Sequence, residues 1–154
     1  MNRKFQWWWR KQLQSIYSEP EIEYLKSQRL ARIATATRQG KPDVSPVAFE
    51  FDGRHFFIGS HSQDIFLSTR KYKNVRDGNK EVALVIDDLE SVQPWKPRGV
   101  KINGTGEIVE HNGMFGPGKY LQITPTVSWS WGISGLKKPK EGEFFIKTIH
   151  RHYT

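Results

Sequence analysis

The run from His55 to Val75, HFFIGSHSQDIFLSTRKYKNV, gathers the residue types that hold an anion. Its pattern predicts a strand through Phe56, Phe57 and Ile58, a turn at Gly59-Ser60, and a helix carrying Thr69, Arg70, Lys71, Lys73 and Asn74. A polar turn offers backbone N–H groups and hydroxyls to phosphate oxygens, and clustered cations balance their charge. The chemistry this suggests is anchoring of a phosphorylated cofactor. Arg70, Lys71 and Lys73 also suit a solvated helix face, so at this level both readings stand.

Other residues with chemical potential are scattered. Trp129 and Trp131 alternate on one face of a predicted strand, where they can stack on a planar ligand, fill a subunit interface or pack in a core. The five histidines (His55, His61, His111, His150 and His152) show no HxxxH or HExxH spacing, which favours surface or hydrogen-bonded roles over metal ligation. There is no GxSxG elbow, Walker loop or GxGxxG after a strand. The glycine-rich Gly113 to Gly118 lacks the lysine of a phosphate loop and reads as a connection.

The elements that must position these residues belong to a chain of 154 residues, a length suited to one domain with its own core. Absence of cysteine excludes disulfides, zinc-thiolate sites, iron-sulfur clusters and thiol nucleophiles, and agrees with a reducing cytoplasm. Redox chemistry then requires a bound cofactor. No apolar run reaches membrane-spanning length, and no signal-peptide pattern opens the chain. Of the formal charge of +8, half comes from Arg3, Lys4, Arg10 and Lys11, which leaves 20 basic against 16 acidic side chains elsewhere. That excess fits an acidic ligand and does not demand nucleic acid.

Residues 1–14, with three consecutive tryptophans among basic residues, form an extension apart from the domain at 15–154. As a helix it would line up Phe5, Trp8, Trp9 and Leu13, which could touch an anionic membrane, pack on a partner subunit or extend freely. Ser18-Glu19-Pro20-Glu21 is a helix start with a capping box, predicting a helix over 19–28. Period-two patterning then predicts strands over 30–37, 43–51 and 55–58, with a hairpin at Asp52-Gly53. A helix follows over 65–76 and an apolar central strand over 82–86. Residues 89–99 read as a loop and 100–109 as a strand whose Gly104 and Gly106 imply close backbone approach. Last come strands over 120–123, 127–133 and 143–149. Many short strands with few helices and no repeat indicate a small antiparallel barrel.

Five segments together resemble the pyridoxamine 5'-phosphate oxidase-like superfamily, in its branch of flavin- and deazaflavin-dependent oxidoreductases: EIEYLKSQRLARIATA (21–36), GKPDVSPVAFEF (40–51), TRKYKNVRDGNKEVALVIDD (69–88), PWKPRGVKINGTG (94–106) and LQITPTVSWSWG (121–132). The resemblance implies a mainly β, antiparallel split β-barrel of Greek-key, FMN-binding-like type, assembled as a homodimer with cofactor between subunits. It places Val44, Ser45, Pro46 and Val47 against a tricyclic ring. Ile58, Gly59, Ser60, Thr69, Arg70, Lys71 and Asn74 fall near the phosphate-bearing tail, and Trp95, Arg98, Trp129 and Trp131 complete the pocket from the other chain. Coenzyme F420, with a phosphodiester and several carboxylates, suits this cation supply better than FMN with its single phosphate. The expected activity is hydride transfer to a small organic acceptor. The competing classes are a non-catalytic flavin- or tetrapyrrole-binding barrel and, more remotely, a barrel binding single-stranded nucleic acid; the aromatic residues form no even stacking row, so no nucleic-acid partner is expected.

Overall fold

The computed structural model describes residues 15–135 and 148–151. The Trp-rich extension and most of the strand expected at 143–149 lie outside the described residues. The elements are α1 (Glu19–Ser27), β1 (Leu30–Ala36), β2 (Pro42–Ala48), β3 (Glu50–Phe51), β4 (Phe56–Ile58), α2 (Gln63–Ser68), α3 (Arg70–Arg76), β5 (Glu81–Ser91), β6 (Lys96–Gly113), β7 (Gly116–Trp131) and β8 (Thr148–Arg151).

The strands pair antiparallel in the order β2-β1-β5-β6-β7-β4-β3, with β8 added to β7. β2 and β3 are two parts of one run broken only at Phe49, yet they occupy opposite ends of that order. The sheet therefore closes on itself as a split β-barrel. Alternation along the strands turns Ala31, Ile33, Leu84, Ile86, Val100, Ile102, Leu121 and Ile123 inward, all at most 1% exposed. Each buried Val, Leu or Ile among them contributes about 1.5–3 kcal/mol relative to exposure.

Several elements differ from sequence expectation for local physical reasons. The helix expected over 65–76 is two helices, because the Thr69 hydroxyl ends one and caps the next. The expected loop at 89–99 shrinks to a turn at 92–95, since β5 and β6 remain paired as far as Ser91 and Lys96. The Gly113 to Gly118 connection is the tip of a hairpin, with Gly113 paired to Gly116. Residues 120–123 and 127–133 join into one strand through a register shift opposite Asn103 and Gly104. Gly104 is required there: a Cβ would lie 2.5 Å from the Thr124 carbonyl oxygen. Among the described residues, no helix is long and apolar enough to cross a membrane.

Candidate cofactor-binding site

The corner between α2 and α3 is built by hydroxyl caps. Ser62 Oγ accepts from the Ile65 N–H at 3.3 Å and starts α2. Thr69 Oγ1 donates to the Phe66 carbonyl at 2.7 Å and accepts from the Tyr72 N–H at 3.4 Å, so one side chain serves both helices. The buried face of α3 presents Tyr72, Asn74 and Val75 to the barrel. Asn74 Nδ2 donates to Thr35 Oγ1 at 3.0 Å, which fixes α3 onto β1. Asn74 is thus a tie within the fold, and Arg70, Lys71 and Lys73 are carried on the helix it positions.

Lys71 is half-buried beside β2. Burial pushes its ammonium pKa down, opposed by the charge of Asp43. Among the described residues Arg70, Lys71 and Lys73 make no ion pair, whereas Arg32, Arg76 and Arg98 are each held by an aspartate. On β2 the side chains alternate about the sheet. Val44, 68% exposed, and the exposed Pro46 face outward, while Ser45 and Val47 point in. The buried Ser45 Oγ has no hydrogen-bond partner among the described residues.

Ile58, fully buried, pairs with Leu121, and Gly59 follows against the Tyr120 ring, where a Cβ would come within 2.6 Å. Ser60 Oγ accepts from the Ser62 N–H at 3.4 Å, and His61 meets Phe115 edge-on. Gly59 and Ser60 therefore sit beside the β6–β7 hairpin. Lys71 lies on α3, which packs on β1 and β6, and Val44 on β2, the strand paired to β1.

The remaining predicted residues occupy the other half of the sheet. Trp95 is exposed on the β5–β6 turn. Arg98 grips Asp88 with Nε at 2.8 Å and a second nitrogen at 3.0 Å, and its guanidinium lies over the Tyr24 ring. Those hydrogen bonds hold the Asp88 carboxyl below its usual range. Trp129 lies under the Lys101 ammonium at 4.5 Å, and Trp131 packs on Gly99. Register puts Trp129, Trp131, Val44 and Pro46 on the same outer face, with β1, β5 and β6 between the two groups. Within one protomer they do not meet.

A second polar centre escaped sequence reasoning. Glu21 is completely buried and accepts from the Ser18 N–H at 2.7 Å, as the capping box predicts, and also from the Ser18 hydroxyl at 2.9 Å. It also takes the Ser130 hydroxyl and, through both oxygens at 2.9 Å, His150 Nε2 from β8. Tyr17 Oη, bonded to Ser128 Oγ at 2.6 Å, borders it. Burial alone would raise the Glu21 pKa, but the hydrogen bonds from Ser130, Ser18 and His150 prevail and lower it. Every oxygen is engaged, so the cluster reads as a structural lock. Among the described residues no three His, Cys, Asp or Glu side chains group as metal ligands.

Residues 19–122 match the family model described as pyridoxamine 5'-phosphate oxidase. The chain belongs to that family. A relative within reach of sequence comparison is the 5a,11a-dehydrotetracycline/5a,11a-dehydrooxytetracycline reductase of Streptomyces rimosus, 33% identical over 123 residues, covering 77% of this chain and 85% of the reductase. Among solved structures, a conserved hypothetical protein of Mycobacterium tuberculosis superposes with TM-score 0.59 at 19% identity, covering 85% of this chain and 96% of the other. An FAD-binding protein of Mesorhizobium loti gives 0.56 at 18% identity over 74% and 91%. These structures share the fold; the reductase relationship supports an oxidoreductase-type function.

Proposed function

We propose that the protein is a reductase that binds coenzyme F420, with FMN as the alternative, and passes hydride to a small organic acceptor. The observation that carries this is the 33% identity to a reductase across 85% of that enzyme. The corner of β2 and α3 suits such a cofactor. Among the described residues Arg70, Lys71 and Lys73 form no ion pair, and β2 presents an exposed apolar edge at Val44 and Pro46, while Ser45 between them turns its Oγ to the inner side of the strand. Charge without an ion-pair partner favours an anionic ligand. Three such cations exceed what one phosphate needs, which favours F420 over FMN.

When bound, the cofactor supplies the hydride. In this reading Arg70 and Lys71 hold its anionic part, Thr69 and Asn74 keep α3 in place, and Val44 and Pro46 present a flat apolar edge to the ring. The outer face, with Leu30 53%, Val44 68% and Ile149 52% exposed around Trp129 and Trp131, suits burial against a second copy. Trp95, Trp129 and Trp131 of the partner subunit would then exclude water from the ring, while Arg98 stays engaged with Asp88 and Tyr24. The cysteine-free chain suits action in the cytoplasm.

Fluorescence titration of the apo-protein with F420 and FMN at two salt concentrations tests the reading. Tight, salt-sensitive F420 binding with weak FMN binding is the expected result. Preference for FMN would reassign the cofactor, and binding of neither would refute the site. Tight binding without turnover of any acceptor would favour a carrier of the same fold.

A further inference from the structure

The outer face holds a cleft that neither the family pattern nor the cation corner explains. β1 and β5 are paired only from Arg32–Val85 to Ala34–Ala83. Beyond that point the strands part, and Asn79 Nδ2, donating to the Thr37 carbonyl at 3.0 Å, braces the β1 end against the turn before β5. A cleft of about 360 Å³ opens between them, lined chiefly by Ala34, Ala36, Pro42, Glu81, Ala83 and Asn103. That volume lies within the usual range for small-molecule sites.

Its chemistry is selective. Three alanine methyls and a proline ring leave a floor from which nothing projects, which favours a flat ligand. The other polar groups nearby are spent: Asn79 also accepts from the Glu81 N–H, and Thr35 Oγ1 takes the Asn74 amide. The Glu81 carboxylate and the Asn103 carboxamide have no partner among the described residues, and no cation lines the cleft. A carboxylate accepts from a hydroxyl, and a carboxamide both donates and accepts. Together they match an edge carrying a hydroxyl next to a carbonyl, and they disfavour an anionic ligand.

Position adds the functional link. Val44 pairs directly with Ala34, so the cleft begins one strand, about 4.8 Å, from the edge assigned to the cofactor ring. We propose that the β1–β5 cleft is the acceptor site, taking a flat, uncharged, fused-ring compound with a hydroxyl–carbonyl edge held by Glu81 and Asn103. This rests on the reductase reading for its role.

The test uses a neutral hydroxyanthraquinone, whose hydroxyl stands next to a ring carbonyl, as the flat, uncharged fused-ring probe, titrated in metal-free buffer into the full chain and followed by its visible absorbance. The F420 and FMN titrations run in parallel on every variant. Wild type should saturate with the probe; Ala83→Phe, which fills the cleft, should bind it at least ten-fold more weakly; Glu81→Gln and Asn103→Ala should weaken it several-fold. Cofactor affinity should stay unchanged in all three. Equal probe binding by wild type and Ala83→Phe would place the acceptor elsewhere, and no binding by wild type would overturn the ligand class. Either result leaves the cofactor titration standing, so it is distinct from failure of the reductase reading. Should Ala83→Phe also lose cofactor through misfolding, full probe binding by the two polar variants overturns the proposal.

Discussion

The two halves of the sheet treat charge in opposite ways. On the α1–β8 side Glu21 is saturated by Ser18, Ser130 and His150, and Arg98 is matched by Asp88 and Tyr24. On the β2–α3 side, among the described residues, Arg70, Lys71 and Lys73 lack ion pairs and Ser45 Oγ lacks a partner. A buried carboxylate with every oxygen bonded is costly to remove, because its donors are left without an acceptor, whereas cations with no ion pair at the surface are free to meet an anionic ligand. The contrast separates a lock from a binding site without reference to conservation.

The sharpest way to break the comparison is at Glu21. Glu21→Ala should remove about 3–5 kcal/mol of stability, because four donors around a closed pocket lose their acceptor; urea denaturation measures it, and a loss under about 1 kcal/mol would show that the cluster is not a lock. Next, Arg70→Ala with Lys71→Ala should weaken F420 binding by about ten- to a hundred-fold, about 1.4–2.7 kcal/mol. The same urea curve should move by no more than about 0.5 kcal/mol. A large stability loss with unchanged affinity would reverse the assignment of the two regions.

The lock also predicts a pH dependence. The folded pKa of Glu21 lies below its ordinary value near 4.5, so its contribution is fully present above that value and is lost as pH falls from there through the folded pKa. Urea midpoints between pH 6 and pH 3 should fall more steeply for wild type than for Glu21→Gln. Tyr17→Phe, which deletes the hydroxyl on Ser128, should cost about 1 kcal/mol. Smallest of all, Asp43→Asn should tighten anion binding a few-fold by removing the carboxylate that competes for Lys71, readable in the same F420 titration.

How much of this was legible in the sequence depended on range. The capping box at Ser18 and Glu21, the Asp52-Gly53 hairpin and the alternation of Val100 to Val109 within β6 are local patterns, and each forms where its residues say. The apolar run 82–86, by contrast, proves to alternate, with Val82, Leu84 and Ile86 buried and Ala83 and Val85 half-buried. Closure of the barrel was legible only as a class, from many short strands. Thr69 breaks one predicted helix into two because a hydroxyl cap competes with helix continuation, and periodicity carries no trace of that competition. The lock was half visible: Ser18 lies three residues from Glu21, but Ser130 and His150 lie 109 and 129 residues away. The cation cluster was visible as composition, whereas which cations remain unpaired depended on aspartates brought in by tertiary contact.

The run 42–51 borders the sheet at both ends, so it works as a clasp. A single backbone cut at Phe49 would leave every hydrogen-bonded ladder intact and still turn a cylinder into a ribbon. β2 and β3 already stand at the two ends of the strand order, and the cut would free them to move apart and bare the edges that recruit further strands. Guarding against aggregation thus falls to one unpaired residue in a ten-residue stretch, and nicking there should be felt as insolubility before it is felt as unfolding.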